Sequence, residues 1–417
     1  MEDRIVRRRL RPDRGWQACA LQVCLCYCAA MLVVAMFTGQ WMTTTHFYYS
    51  YELQADAWLQ GSLSIPDGEY YEWLELAIYN GEYYVSFPPF PSYVLLPFVA
   101  IGGVSISDGI LAWAVAMLSC VYAVRLLLAV TGSARRLPLL TLFLLLGNGY
   151  LYLTMNSWVW FIAQNMCFAL SLMSLYYAWV GKGGQSLGFW ACAVGCRPMS
   201  VLWFPLLAYL IVRHWQRWEP GLGVLRLALR KWYWAVAPLL LAASYMTLNV
   251  LRFGSVLEFG HNYLPEFTRT TTGQFNLCYL LPNILQYLTL PSFQGDSNPL
   301  AFGAIDGTAF YLVNPMLLLL IPVYALALKR RREHDRPLLV LIPVSVLLYF
   351  LLICLHKTLG GVQFGNRYLV DLLPCAYLGL LLWLPEGEGW TCATTVLAVL
   401  GTAVNLIGTV LSYNNWL

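Results

Sequence analysis

The sequence predicts an all-α integral membrane protein, a single polytopic domain over residues 1–417 with about eleven transmembrane helices and a long first extracytoplasmic loop. Composition is the first reason: 59% of the residues are hydrophobic and 11% charged, with a mean hydropathy of +0.60, whereas soluble domains carry about 25% charged residues. Periodicity is the second. Apolar runs of roughly 17–25 residues recur along the chain, each able to cross a bilayer as a helix that satisfies its own backbone. Charge placement is the third, because acids and bases fall on opposite sets of connecting segments. Strands are not expected to matter.

Taken in order, Arg4, Arg7, Arg8, Arg9, Arg11 and Arg14 precede a span near Trp16 to Thr38, so the chain is expected to start in the cytoplasm, the span acting as a retained signal anchor. Residues 39–106 form the first outer loop, rich in tyrosine and acids, ending in the proline-broken juxtamembrane stretch FPPFPSYVLLPFVAIGG. Spans are expected over about 109–131, 137–155 and 161–180. The interval from Lys182 to Arg213 is too short for two full crossings, which predicts a hairpin of two short helices bent at Arg197 and Pro198. The chain then leaves from Trp232 to a second outer segment, 252–308, and returns through 310–328, 337–354, 368–384 and 391–411, with its C-terminus outside.

This topology leaves Arg197, Arg252, Arg269, Lys357 and Arg367 as the cations on an otherwise acidic outer face. Cysteines at 19, 24, 26, 28, 120, 167, 354 and 392 lie in apolar spans and read as small hydrophobes rather than as a disulfide or zinc framework. Nothing in the charge pattern suggests a nucleic acid partner.

The outer loops join tyrosine and tryptophan with carboxylates and a few arginines. Such a mixture suits sugar rings, which stack on aromatic faces, and phosphate, which arginine grips with two parallel bonds. An interfacial aromatic belt would show the same tyrosines, and the run Asp67 to Glu75 reads as a solvated face. Glu52, Asp56 and Gln60 share one helical face, so the two carboxylates are expected side by side, one with a raised pKa.

Four motifs, ADAWLQGSL with NGEYYVSFPPFPSYVLLPF, then GCRPMSVLWFP, NVLRFGSVLEFGHNY and GGVQFGNRYLVDLLP, appear in an order that resembles bacterial members of the C-type glycosyltransferase superfamily (GT-C fold). Distant relatives there include the protein O-mannosyltransferases and the lipid A aminoarabinose transferase. The resemblance implies a GT-C-like helical bundle that moves a sugar from a polyprenyl-phosphate donor to a lipid or glycan acceptor at the outer face. It implies a carboxylate in the first outer loop, matched here to Asp56 with Glu52 secondary. Arg197 and Arg367 are expected to hold phosphate, with Arg252, His261, Glu258 and Tyr84 as further substrate-binding candidates.

The chain departs from the family pattern in two places. Thr43, Thr44, Thr45 and His46 stand where many members carry an acid, often an Asp-Glu pair, and Asn156 stands in the next outer loop where some carry a metal-holding acid. No cofactor is therefore expected, though a divalent metal is left open. Arg367 and Asp371, one helical turn apart, could equally form a local ion pair, Arg252 could snorkel to the interface, and His261 could merely sit in a polar loop. The alternative to an enzyme is a transporter or flippase of a lipid-linked saccharide; the lack of a visible repeat and the one-sided charges speak for the enzyme.

Overall fold

In the computed structural model, residues 15–44, 46–290, 307, 309–361 and 363–414 are described; the arginines at 4–14 and most of the interval 291–308 lie outside them. Among the described residues six helices are long and apolar enough to cross a membrane, which makes this a multi-pass membrane protein: Trp16–Thr38 (α1), Asp108–Thr131, Val159–Trp179, Trp232–Phe253, Arg336–Cys354 and Glu388–Tyr413. Shorter helices run beside them, so the structure identifies six full-length spans rather than establishing the expected eleven.

After α1, Ser50–Leu59 forms α2. A strand pair follows, β1 at Leu76–Tyr79 and β2 at Glu82–Val85. This corrects the expectation that strands would not matter. The turn between them is Asn80-Gly81, both residues at positive φ (53° and 82°), the two-residue connection whose twist matches antiparallel strands. Helix α3, Phe90–Gly102, begins behind Pro88 and Pro89 in the stretch expected to be juxtamembrane. Next come α4 (Asp108–Thr131), α5 (Leu137–Leu146) and α6 (Val159–Trp179).

The expected third span stops at Gly147 because the chain breaks across Gly-Asn-Gly. Gly401 packs against this break so closely that a Cβ there would lie 2.4 Å from the Gly147 carbonyl. Asparagines satisfy the exposed backbone: Asn148 donates to Phe143 O (2.6 Å) and accepts from Met316 N (3.3 Å), and Asn314 accepts from Gly149 N (3.1 Å). Open peptide groups at membrane depth demand such partners.

The short hairpin is present as α7 (Gly183–Val194) and α8 (Phe204–Gln216), joined through Arg197 and a 3-10 turn over Pro198–Trp203. Beyond it lie α9 (Val224–Arg230), α10 (Val236–Phe253), α11 (Leu280–Leu288), α12 (Pro315–Lys329), α13 (Arg336–Cys354), α14 (Leu373–Trp383) and α15 (Glu388–Tyr413). One large core joins the spans. A second core packs α2, the strand pair and α3 onto α6 through Tyr51, Leu74, Val85, Phe87, Ile162 and Met166, so the interval between α1 and α4 folds as a cap on the bundle.

The two ends of the bundle differ. At one end Asn414 donates to Phe37 O (3.1 Å), which sets the last helix beside the exit of α1 and the cap. At the other, Arg136 donates to the carbonyls of Leu384 (3.3 Å) and Pro385 (2.8 Å) in the loop that lacks basic residues of its own. Counting the cap as the outer side, a cysteine placed at Asn414 should be modified by an impermeant maleimide in intact cells; modification only after permeabilisation would reverse the orientation.

Candidate active site

Beneath the cap, two arginines converge on one tyrosine. The Arg197 guanidinium carbon lies 4.8 Å from the ring centre of Tyr368, and that of Arg367 lies 4.9 Å from the same ring. Arg197 is delivered by the α7–α8 turn. Gly195 permits that turn, since a Cβ there would fall 2.2 Å from the Tyr245 hydroxyl, and its carbonyl accepts from Phe90 N (3.0 Å) at the head of α3. The FPPF and GCRP motifs thus touch each other.

Asp371 does not pair with Arg367, as one helical turn of separation suggested. Its carboxylate accepts from Arg197 Nε (3.1 Å), from Tyr349 (3.0 Å) and from the Gln164 amide (2.8 Å). The ion pair is long-range because residues 367–372 coil as a 3-10 helix, which rotates Asp371 toward α7.

Arg367 is buried, 3% exposed, and among the described residues no carboxylate forms an ion pair with it. Its Nε donates to Gly360 O (2.7 Å), a second nitrogen donates to the same carbonyl, and a third reaches Gln164 Oε1 (3.4 Å). Gly360 is required there: φ is +128° and a Cβ would sit 3.1 Å from Arg367 Nε. Phe161 and Trp160 close over the guanidinium at 5.5 and 6.0 Å. Burying a guanidinium without an acid is costly, and the Gly360 carbonyl, Gln164 and the surrounding rings are what offset that cost.

Two histidines add no fixed charge. His356 is pushed down to about 4 by burial, with the nearby His261, Arg197 and Arg367 adding to the effect. Burial likewise lowers His261, whose Nδ1 donates to Ser86 O (2.8 Å) while its ring lies against Phe87 and Phe267. Both stay neutral at physiological pH and add nothing to the charge of the two guanidinium groups.

The acids of the cap divide into three. Glu52 is buried, 3% exposed, with Oε1 lacking a hydrogen-bond partner; burial, and then the neighbouring Asp108 at the head of α4, raise its carboxyl well above the usual range. Asp108 accepts from Ser157 (2.7 Å). The acidic neighbour of Glu52 is therefore Asp108 from another helix, while Asp56 lies half-buried and accepts from Gln60 (2.6 Å).

A carboxyl with a raised folded-state pKa keeps its proton longer than in the unfolded chain, so the stability it contributes is lost as pH rises from the ordinary glutamate range through the raised value. Glu52→Gln should then match the native protein in thermal stability at acid pH and exceed it by about 1 kcal/mol or more at pH 8.

Glu75 is the third acid, and the sequence hid it in a solvated run. It precedes β1 with φ +54°, a left-handed conformation that non-glycine residues seldom adopt outside turns and functional sites. Trp160 Nε1 donates to its carboxylate (3.2 Å). Solvent reaches the residue, yet the surrounding atoms desolvate it enough to raise its carboxyl, with help from Glu266 and against the pull of Trp160 and Arg367. Trp160 thus bridges Glu75 and Arg367.

Of the remaining candidates, Arg252 donates to Val85 O (3.1 Å) and Asn249 Oδ1 (3.2 Å), and Tyr84 packs on Phe253 (5.2 Å). Glu258 accepts from Gly260 N and Asn262, both at 2.7 Å. These three fasten the strand pair and the loop bearing His261 to α10. Among the described residues no group of histidine, cysteine, aspartate and glutamate is arranged to hold a metal.

Fold and site together define a polytopic membrane protein with two buried arginines gathered on Tyr368 under a folded cap. The chain matches no protein-family model and no curated sequence. Among solved structures it is similar to ArnT from Cupriavidus metallidurans, determined bound to undecaprenyl phosphate, at 14% identity and a TM-score of 0.49 over 93% of this chain and 75% of that one.

Proposed function

We propose that this protein is a membrane glycosyltransferase that moves a sugar from a polyprenyl-phosphate donor to an acceptor hydroxyl at the outer face. The observation that carries the reading is Arg367, a buried guanidinium without an acid, sharing the Tyr368 ring with Arg197. A phosphodiester carrying one negative charge would supply the ion-pair partner that Arg367 lacks among the described residues. As the acceptor oxygen bonds to the anomeric carbon, the carbon–oxygen bond to phosphate breaks, and the leaving phosphate takes the electron pair. Fixed cations stabilise that developing charge without a proton donor.

The acceptor's proton needs a carboxylate that is open to substrate and close to the phosphate. Glu52 is closed off, and Asp56 is open but bonded to Gln60; Glu75 is open and adjoins Arg367 through Trp160. We assign the proton to Glu75 and keep Asp56 as the rival. Purified protein in proteoliposomes with a labelled polyprenyl-phosphate sugar tests the reading, the acceptor being identified by mass spectrometry of envelope glycolipids in a deletion strain. Transfer to that acceptor supports the enzyme. Passage of intact lipid-linked sugar between leaflets without bond cleavage would indicate the transporter instead.

A further inference from the structure

The opposite end of the bundle carries a second cationic cluster, distant from Arg197 and Arg367. Trp179 at the end of α6, Leu210, Arg213 and His214 of α8 and the exposed Arg217 just past its end line a shallow surface recess whose enclosed space is only about 10 Å³, so that any anion larger than water would lie over its mouth. The packing is specific. His214 Nδ1 donates to Trp179 O (3.0 Å), and its ring fits only because position 181 is glycine, where a Cβ would lie 2.2 Å from the imidazole. The Arg213 guanidinium lies 5.5 Å from the Trp179 ring centre and pairs with Asp335, which also accepts from Tyr209 (2.6 Å).

Arg217 is different. It lies one turn beyond Arg213, just past the end of the helix, where two like charges repel, and among the described residues no carboxylate pairs with it. The nearest acid in sequence, Glu219, is occupied by Arg230 at 2.7 Å. Asp335, already paired with Arg213, offsets only part of that repulsion, and an anion over the recess would relieve the rest.

The surroundings say what kind of anion. Trp218, Trp232 and Tyr233 are 55%, 67% and 51% exposed, and Leu225 and Leu229 of α9, each followed by an arginine, are 73% and 69% exposed. An exposed belt of indole and leucine interleaved with arginine is the pattern of a helix lying in the headgroup layer of a bilayer. The basic run Lys329 to Arg332 ends three residues before Asp335, the partner of Arg213 on α8.

We propose that this recess is a binding site for the phosphate of an anionic membrane lipid, with Arg217 as its main ligand and Arg213 supporting from the Asp335 pair. Basic pockets at the membrane interface select such headgroups by charge-assisted bonds to phosphate. The test uses the full-length protein, delipidated in neutral detergent and titrated with phosphatidylglycerol, with phosphatidylcholine, or with inorganic phosphate, read by native mass spectrometry.

The native protein should retain phosphatidylglycerol in preference to phosphatidylcholine, and Arg217→Gln should weaken that binding about tenfold. Arg226→Gln, a change of equal charge outside the recess, should weaken it far less. Equal weakening by both substitutions would show a general field in place of a site, and unchanged binding in Arg217→Gln would remove the proposal. Displacement of the lipid by millimolar inorganic phosphate would assign the recess to a soluble anion and likewise overturn it. Arg217 is exposed, so its replacement leaves the fold intact.

Discussion

Arg367→Gln is expected to abolish measurable binding of a polyprenyl-phosphate analogue, a loss of at least about 30-fold, while leaving the protein as stable as before or more so. Losing a desolvated charge pair with phosphate costs about 2–5 kcal/mol of binding. The same substitution removes a buried charge that has no acid in the resting protein, which relieves a penalty rather than creating one. Arg197→Gln should behave oppositely in stability, because it strands the Asp371 carboxylate, whose side chain is 1% exposed, and breaking a buried pair from one side costs about 3–5 kcal/mol. Binding isotherms and melting curves on the two variants read both quantities. Equal destabilisation with unchanged affinity in Arg367→Gln would make that residue a structural strut.

The second large effect is on turnover. Glu75→Gln should lower the transfer rate by about 100-fold or more, as removal of a general base does, with donor-analogue binding retained. The native rate should fall as pH drops through a value above the ordinary glutamate range, because burial and the charge of Glu266 hold the Glu75 proton on longer and only the ionised form can accept the acceptor's proton. The acid limb should be missing from the residual activity of Glu75→Gln. Asp56→Asn should keep both the rate and the limb; a collapse there with Glu75→Gln active would return the role to Asp56.

How much of this was legible in the sequence depends on the range of each interaction. The spans follow from local hydropathy, and the bend at Arg197 from a proline beside a charge in a stretch too short to cross twice. The GCRP and GNRYLVD motifs pointed to Arg197 and Arg367, which the fold brings to one ring, that of Tyr368. Their pairing was not legible, because Arg197 and Asp371 are 174 residues apart and a 3-10 turn replaces the α-helical spacing that suggested Arg367 as the partner. Asn80-Gly81 is a hairpin signal in plain view, obscured by the polar character of its surroundings. Glu75 looked like one of several solvated acids; only the left-handed backbone before β1 and the indole of Trp160, 85 residues away, turn it toward Arg367. The Glu52–Asp108 neighbourhood joins two helices in the same way, which is why one-face periodicity pointed to Asp56.

Cryo-electron microscopy of the purified protein with a polyprenyl phosphate tests the central claim most directly. The account predicts phosphate density between the Arg197 and Arg367 guanidinium groups beside the Tyr368 ring, with the Arg367 contact to Gly360 O yielding to it and Glu75 facing the space left for an acceptor. Phosphate density confined to the basic end near Arg217, with Arg367 still bonded to Gly360, would contradict it.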